Sequence, residues 1–325
     1  MSVKAATPID LNGAVVAITG GARGIGLQSA RDFAALGAKV VIGDLNREAT
    51  ERAADEAGEG IRGLQLDVTH RDSFERFVHM VEREVGPIDV FVNNAGIMPA
   101  GRFLDEGDAI SDAQIDVNVR GPILGMKLVL PQMIAQGRGH VINVASMAGK
   151  AHVPGLAVYN ATKFAVVGLS ESVRDELEGT GVTITTVMPN AVKTELTMGL
   201  PTERLGLLTP EKVSKAIVSS VEHRRPEVAV PRWFNSYTLV NAILPRSVMR
   251  FMRRRLGAYR LLEEERIDRA ERDQYDARIA GSSSRVNANA SNGQASNGQA
   301  SNGQARGEEG SATEAGQTTK EPVGK

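Results

Sequence analysis

Three side chains, Ser146, Tyr159 and Lys163, have the types and spacing that proton transfer needs. The apolar and β-branched run 140–145 predicts a buried strand that ends at Ser146. An apolar-periodic helix is predicted over about 156–177, and Tyr159 and Lys163 leave the same face of it because they are four residues apart. A serine at the end of a strand can therefore meet a tyrosine and a lysine on the next helix.

Electrostatics gives this trio its chemistry. A free phenol has a pKa of about 10 and carries protons poorly at neutral pH. An ammonium about 4–5 Å away, at an effective dielectric of about 20, favours the phenolate by roughly 3–4 kcal/mol, or about two to three pKa units. We therefore predict that Lys163 brings the pKa of Tyr159 towards neutral, while the Ser146 hydroxyl binds a carbonyl or alkoxide oxygen. A Tyr-x-x-x-Lys spacing also arises by chance, as an amphipathic tyrosine beside a snorkelling lysine.

A glycine-rich turn lies near the start of the chain. Residues 14–19 are typical of a short strand, residues 20–26 contain four glycines, and a helical pattern then runs to Gly37. This order predicts a dinucleotide site, because glycines let backbone N–H groups approach a pyrophosphate at a helix N-terminus; the alternative is a plain turn. The candidate contacts in the turn are Gly20, Arg23, Gly24, Ile25 and Gly26.

Asp44 stands at the end of a second predicted strand, 39–43. A carboxylate about 20 residues after the glycines can accept hydrogen bonds from the adenosine ribose and would repel a 2′-phosphate. Arg23 and Arg47 favour the opposite choice, because either can pair with that phosphate. We give Asp44 the greater weight and predict NAD rather than NADP.

Strand-type and helix-type segments alternate along the chain. Further strands are predicted at 61–66, 88–92, 182–187 and 227–230, and further helices at about 71–85, 112–136 and 210–222. Repeated β–α units predict an α/β fold with a Rossmann-type, doubly wound parallel sheet that binds ligands at the carboxyl ends of its strands. Within the 112–136 helix, Pro122 follows Asn118, so a kink would aim Asn118 at the site; a solvent-facing asparagine is the alternative.

With these residues in place, the chain resembles the short-chain dehydrogenase/reductase family over roughly residues 10–231. The resemblance rests on several motifs in order: Thr19-Gly-x-x-x-Gly-Ile-Gly26, Asp67, Asn93-Asn-Ala-Gly96, Asn118, Ser146 and Tyr159-x-x-x-Lys163. It implies an NAD(P)-dependent oxidoreductase that acts on CH–OH groups. It also implies a catalytic tetrad of Asn118, Ser146, Tyr159 and Lys163, in which Asn118 holds a water in a proton relay to Lys163.

The resemblance assigns the remaining cofactor contacts as well. Lys163 would bind the nicotinamide ribose and Thr194 the carboxamide. The other implied contacts are Asp67 and Val68 near the adenine, Asn94 and Gly96 in the adenosine half, and Tyr159 and Val192. Asn190 departs from the family, which often has glycine there, but asparagine tolerates left-handed backbone angles.

Composition limits the remaining classes. The chain has 325 residues, a net charge of −1 and no cysteine, and its five histidines lack metal-ligand spacing. We therefore expect neither a metal site nor nucleic-acid binding. No signal peptide and no apolar run of about 18 residues are evident, so we expect a cytoplasmic protein. For its assembly we expect a homodimer or a homotetramer.

The stretch after Thr194 is rich in apolar residues, namely Leu196, Met198, Leu200, Leu205, Leu207 and Leu208. By resemblance it is a mobile lid over the substrate. With Met98 and Met147 near the site in sequence, it predicts a lipophilic alcohol or ketone as substrate. Ordinary core packing of an insertion explains the same residues equally well.

The chain is predicted to have a catalytic domain over 1–231, a helical, arginine-rich apolar appendage over 232–280 and a disordered tail over 281–325. Residues 228–262 contain seven arginines and no acidic residue. Residues 232–262 therefore suit peripheral membrane contact near the active-site mouth, an arm packed on its own core, or a subunit contact. The tail has no aromatic residue, leucine or isoleucine to bury.

Three functions remain in competition. The leading hypothesis is an NAD-dependent oxidoreductase that interconverts a lipophilic secondary alcohol and a ketone. The second is an NADPH-dependent carbonyl or 3-oxoacyl reductase with the same fold. The third is a catalytically silent nucleotide-binding regulator, against which the complete tetrad argues.

Overall fold

A single parallel sheet organises the computed structural model, which describes residues 8–201, 206–236, 244–255, 261, 267–277 and 279. Across these residues its strands are β1 (Val15–Thr19), β2 (Lys39–Asp44), β3 (Ile61–Gln65), β4 (Val90–Asn93), β5 (Gly139–Val144), β6 (Val182–Pro189) and β7 (Glu227–Val230). Their spatial order is β3-β2-β1-β4-β5-β6-β7. The order in which strands are added therefore reverses between β1 and β4, and a doubly wound sheet binds its ligand at this point. The predicted Rossmann-type fold is confirmed.

Helices cover both faces of the sheet. They are α1 (Gly24–Ala34), α2 (Arg47–Ala57), α3 (Arg71–Glu84), α4 (Asp108–Ile115), α5 (Gly121–Gln136), α6 (Ala157–Glu176), α7 (Pro210–His223) and α8 (Arg246–Arg255). The bounds predicted for α3, α6 and α7 agree to within one residue. The sequence did not predict α2, because the residues that it buries, Thr50, Ala53 and Ala54, are small and leave a weak apolar pattern.

Alternate residues of the strands feed two apolar cores. Val16 and Ile18 of β1 face the core on the side of α1 and α7. Val15 and Ala17 face the other core, on the side of α3 and α5. Each fully buried large apolar side chain contributes roughly 1.5–3 kcal/mol. This double burial fixes the sheet, and the loops at the carboxyl ends of its strands are left to form the site.

A π-helical turn, Asp116–Arg120, joins α4 to α5. Pro122 has no N–H, so the Asn118 carbonyl lacks the donor that an α-helix would supply four residues later. The Gly121 N–H donates to the carbonyl of Asp116, five residues earlier, which is the spacing of a π-helix. The predicted kink therefore takes the form of a π turn, and Asn118 is buried rather than solvent-facing.

Beyond β7 the described chain is helical. A 3-10 turn spans Arg232–Ser236, and α8 begins directly after Pro245, which has no N–H to donate within a helix. Residues 269–277 are also helical. The predicted disordered tail and residues 237–243 and 256–260 of the appendage lie outside the described residues. Among the described helices, none is long and apolar enough to cross a membrane.

Candidate active site

Strand β5 and helix α6 bring the predicted proton-transfer groups together. Ser146 lies just beyond β5, and its hydroxyl accepts a hydrogen bond from the Ala148 N–H at 3.1 Å. This bond caps the short 3-10 turn Met147–Gly149 and fixes the serine side chain. The Ser146 and Tyr159 hydroxyls are hydrogen-bonded to each other. A strand-end serine thus meets the tyrosine of the next helix, as the sequence predicted.

Lys163 lies beneath this pair. Its Nζ donates to the Val144 carbonyl at 3.1 Å and lies 5.6 Å from the centre of the Tyr159 ring. A Cβ added to Gly96 would lie 3.7 Å from Lys163 Nζ and 3.3 Å from Asn118 Oδ1. The glycine therefore adjoins both polar groups, and the four predicted catalytic residues form one cluster.

The Asn118 side chain connects two parts of the site. Its Oδ1 accepts from the Ile97 N–H at 2.9 Å, and its Nδ2 donates to the Ile97 carbonyl at 2.9 Å and to Thr162 Oγ1 at 3.2 Å. These bonds hold the segment after β4 against α6. Because the amide is engaged by protein groups, the backbone carbonyl of Asn118 is the better candidate to bind a water.

Burial determines the protonation of the central groups. It raises the pKa of Tyr159 to about 12, against the hydrogen bond from Ser146, which lowers it, and the charge of Tyr275 raises it further. Burial also lowers the pKa of Lys163 to about 8. The prediction that Lys163 brings the pKa of Tyr159 towards neutral is wrong for this structure, because lost hydration disfavours the phenolate and the ammonium alike.

The residues of the glycine turn pack tightly against one another. Gly20 and Gly24 have φ of 63° and 52°, which favour glycine. A Cβ on Gly26 would overlap the Gly20 carbonyl oxygen and lie 2.6 Å from Asn94 Nδ2. That amide donates to the carbonyls of Thr19 and Gly20 at 3.0 and 2.9 Å. Asn94 thus stabilises the turn, and α1 begins within that turn at Gly24. Ile25 is partly buried against the adjacent core.

Asp44 lies against the same turn. Its Oδ2 accepts from the Ala22 N–H at 3.1 Å and its Oδ1 from the Leu45 N–H at 2.8 Å. The carboxylate therefore lies at the carboxyl end of β2, where the sequence placed a ribose contact.

The two arginines that favoured NADP are both paired with carboxylates. Arg23 Nη1 lies 2.6 Å from Glu195 Oε2, and Arg47 Nε lies 2.8 Å from Glu51 Oε1. Partial burial alone would lower the pKa of Arg23, but the hydrogen bond and charge of Glu195 raise it. Each guanidinium thus has a carboxylate partner in place of a phosphate.

Asp67 and Val68 shape the entry to α3. Asp67 Oδ1 accepts from the Thr69 N–H at 3.0 Å and from Thr69 Oγ1 at 2.6 Å. Val68 is buried, and a Cβ on Gly121 would lie 3.3 Å from it. Both residues thus stand at the carboxyl end of β3, beside the start of α5.

The loop after β6 lies across the glycine turn. A Cβ on Gly24 would lie 3.3 Å from Thr194 Cγ2, and Val192 is buried in a β-bridge with Leu208. Asn190 donates its N–H to the Val230 carbonyl at 2.8 Å. Among the described residues, the only non-glycine with positive φ is Arg224, so the backbone at Asn190 has no need of glycine.

Tyr159 belongs to an apolar cluster. Its buried members are Met98, Ala148, Leu156, Tyr159, Leu200 and Leu261, with Leu196 packed against them. Of the two methionines that are near the site in sequence, Met98 packs in this cluster, whereas Met147 packs in a different cluster with Val166 and Met188. Leu205 lies outside the described residues.

Sequence reasoning missed Leu261, Arg272 and Tyr275, which reach this cluster or its edge. Tyr275 accepts a hydrogen bond from the Met98 N–H at 2.8 Å across 177 positions of sequence. The only local signal was an apolar or aromatic residue within a strongly charged segment, and that pattern does not indicate what such a residue contacts.

The chain matches a known family and several known proteins. A family model described as short chain dehydrogenase matches residues 14–205. Mouse (Mus musculus) epidermal retinol dehydrogenase 2 is 33% identical over 261 residues, covering 77% of this chain and 84% of that protein. Human (Homo sapiens) estradiol 17-beta-dehydrogenase 11 is 30% identical over 253 residues, covering 76% and 84%.

Solved structures give the same result. A short chain dehydrogenase/reductase from Burkholderia phymatum in complex with NAD is 24% identical, with a TM-score of 0.65 over 71% of this chain and 93% of that one, and it supports the fold. A 3-ketoacyl-(acyl-carrier-protein) reductase from Brucella melitensis complexed with NADH is 29% identical, with a TM-score of 0.64 over 68% and 97%. The chain therefore belongs to the short chain dehydrogenase family, oxidoreductases that act on CH–OH groups with a nicotinamide nucleotide.

Proposed function

We propose that this protein is an NAD-dependent oxidoreductase that interconverts a lipophilic secondary alcohol and a ketone, with Tyr159 as general acid and base. One observation carries the proposal: the Tyr159 hydroxyl meets Ser146 inside an apolar cluster and above Lys163. The apolar surroundings favour a lipophilic substrate. Relatives named as retinol and estradiol dehydrogenases support the same substrate class.

The glycine turn fits a dinucleotide. Gly26 lets the turn pack tightly against the Gly20 carbonyl and the Asn94 amide, and the N-terminus of α1 favours the negative charge of a pyrophosphate. A nicotinamide nucleotide would supply the acceptor or donor of hydride. Asp44 supports NAD because a 2′-phosphate beside it would be repelled, and the pairing of Arg23 and Arg47 supports the same choice.

The protein groups divide the proton chemistry. The Ser146 hydroxyl orients the substrate oxygen, and Tyr159 gives a proton to that oxygen in ketone reduction or takes one in alcohol oxidation. Lys163 lies where its charge favours the phenolate once the proton has left. A water on the Asn118 carbonyl would complete the relay to Lys163, because Pro122 leaves that carbonyl without its α-helical donor.

The direction of proton transfer has a pH dependence. With the pKa of Tyr159 raised to about 12 by burial, the phenol carries its proton at neutral pH. It is therefore ready to act as an acid in reduction, whereas oxidation needs the phenolate. We expect the rate of alcohol oxidation to rise with pH across the alkaline range, and the rate of reduction to change little between pH 6 and 8.

A second candidate has support from one neighbour. The solved structure named as a 3-ketoacyl-(acyl-carrier-protein) reductase complexed with NADH is 29% identical to this chain, and proton transfer from Tyr159 would serve reduction of a 3-oxoacyl group equally well. An NADPH-dependent carbonyl or 3-oxoacyl reductase is therefore the alternative within this family.

A substrate panel tests these proposals. Lipophilic primary and secondary alcohols with NAD and NADP, and ketones and 3-oxoacyl thioesters with NADH and NADPH, are followed by nicotinamide absorbance. We expect the highest kcat/KM with NAD or NADH and an apolar alcohol or its ketone. Selective turnover of 3-oxoacyl thioesters with NADPH would establish the alternative. Nucleotide binding without turnover of any substrate would favour a silent regulator.

A further inference from the structure

The segment at residues 267–277, which is helical from residue 269, packs onto the rim of the candidate active site. The Asp268 N–H donates to the Gly199 carbonyl at 2.9 Å, and the Gly199 N–H donates to Glu271 Oε2 at 3.1 Å. Arg272 Nη1 donates to the Leu196 carbonyl at 3.1 Å, and its Nη2 donates to the Met98 carbonyl. The segment therefore joins the loop after β4 to the lid after β6.

The fit between lid and segment is too close for a side chain at Gly199. This glycine has φ of 69°, and an added Cβ would lie 2.5 Å from the Asp268 carbonyl oxygen and 3.0 Å from the Arg272 nitrogen. Leu261 makes a similar approach to Gly155, whose added Cβ would lie 3.0 Å from Leu261 Cβ. Leu261 and the 268–272 region can therefore approach the site this closely only because positions 155 and 199 are glycine.

Arg272 is a buried cation whose two Nη atoms donate to carbonyls, whereas its Nε makes no hydrogen bond to the described residues. Only 4% of its surface is exposed. Besides the two carbonyls, it forms an ion pair with Asp276, Nε to Oδ1 3.4 Å, and its guanidinium lies 4.5 Å from the centre of the Tyr275 ring. A buried guanidinium is costly unless it is paired, so these contacts fix the segment in one position.

Tyr275 lies beside the reacting groups. Its hydroxyl accepts from the N–H of Met98, which packs in the same cluster as Tyr159. Tyr275 is also close enough to Tyr159 and to Arg23 for its charge to act on both, so a substrate that contacts Tyr159 would lie near the Tyr275 ring.

We propose that Tyr275 contacts the substrate and determines specificity, and that Arg272 is the positioning residue that holds it. This inference rests on the proposed function and deepens it. Tyr275 adjoins this apolar cluster through the N–H of Met98, and Met98 packs with Leu200 and Leu261; such surroundings suit the apolar body of an alcohol rather than its reacting oxygen.

Steady-state kinetics on the full chain tests the proposal. For the best apolar alcohol, Tyr275→Ala should raise KM about tenfold, as the loss of a pocket contact does, and leave the Kd of NAD unchanged. Tyr275→Phe, which keeps the ring, should raise it less. Arg272→Met should match Tyr275→Ala, and the double variant should be no worse than either, because both act through one contact. Gln274→Met, exposed on the same segment, is the control and should match the unmodified protein.

Hydrogen exchange keeps this test separate from the proposed function. In Arg272→Met, the amides of Met98 and Gly199 should exchange at least about tenfold faster, while those of β1 and β5 keep their protection. Absence of turnover on every substrate would defeat the proposed function but leave this docking test intact. A KM unchanged in Tyr275→Ala, additive effects in the double variant, or unchanged exchange in Arg272→Met would each overturn the inference. Arg272→Lys serves if the methionine variant does not fold.

Discussion

In our proposal the sheet domain and the C-terminal segment contribute to one site in different ways. The domain would supply the reacting groups from neighbouring elements, as in the contact of Lys163 with Val144, 19 positions apart. The segment would supply a wall, through contacts such as that of Tyr275 with Met98, 177 positions apart. Chemistry that depends on a few groups at fixed spacing is thus encoded locally, whereas the surface around the substrate depends on packing between distant parts of the chain.

The largest expected effect separates the two tyrosines. Tyr159→Phe should lower kcat by about 10²–10⁴-fold, because the proton carrier is lost, and should leave the Kd of NAD nearly unchanged. Tyr275→Phe should keep most of kcat. Lys163→Met should lower kcat and also weaken NAD, since its ammonium serves both the phenolate and the ribose. Steady-state kinetics and calorimetry measure these changes. If Tyr159→Phe retains most of its kcat, the assignment of the proton carrier is wrong.

The next effect concerns the sheet domain alone. Burial and the charge of Arg224 lower the pKa of His140 to about 3, so it stays neutral in the folded protein. The unfolded state takes up a proton below about pH 6.5, so the free energy of unfolding should fall as the pH drops from 6.5 towards 3. At pH 4.5 the loss due to His140 is on the order of 2–3 kcal/mol.

Urea unfolding at pH 7 and pH 4.5 checks this prediction. His140→Asn should lose less stability between the two pH values than the unmodified protein does. His79→Asn, at an exposed position of α3, is the matched control and should keep the full loss. Equal losses in the unmodified protein and in His140→Asn would contradict the account.

A smaller effect concerns the choice of nucleotide. Asp44→Ala should weaken NAD and relieve repulsion of NADP, which shifts the ratio of kcat/KM for the two by about tenfold or more. Asp44→Asn keeps the acceptor for the Ala22 N–H and should show the same direction without disturbing the turn. Asp55→Ala, exposed on α2, is the control. Comparable kcat/KM for NAD and NADP in the unmodified protein would remove the basis for this prediction.

The smallest effect concerns contact of the C-terminal region with a membrane. Arg250, Arg254 and Phe251 of α8 are exposed, whereas Met249 is buried. This face suits an anionic interface, where each arginine contributes about 1 kcal/mol, or roughly fivefold in affinity. We expect co-sedimentation with anionic liposomes at low salt, weaker binding at high salt, and a further loss in Arg254→Gln. Absence of salt-sensitive binding would leave the alternatives of packing on the core or a subunit contact.

Sequence reasoning reached the fold because the strands of a doubly wound sheet are continuous apolar runs between glycine and helix signals. It also located Ser146, Tyr159 and Lys163, because a strand end and one helical turn fix their relative positions. The expected homodimer or homotetramer, the cytoplasmic location and the division of the chain at residues 231 and 280 stay predictions.

Properties that depend on burial were harder to predict. The expected low pKa of Tyr159 counted the charge of Lys163 but not the hydration that both groups lose in the core. Met147 is next to Ser146 in sequence, but its side chain packs with Val166 and Met188 and not in the cluster of Tyr159. Arg272 gave no signal, because a buried arginine and a surface arginine look alike in a charged helix.

Transfer of a labelled hydrogen tests the central claim most directly. The full-length protein is incubated with NAD and an apolar secondary alcohol that carries deuterium on the carbinol carbon, and the nucleotide is examined by NMR. We predict that deuterium appears at C4 of the nicotinamide with the unmodified protein and is nearly absent with Tyr159→Phe. If NAD binds but no alcohol delivers deuterium, the protein does not carry out the oxidation proposed for it.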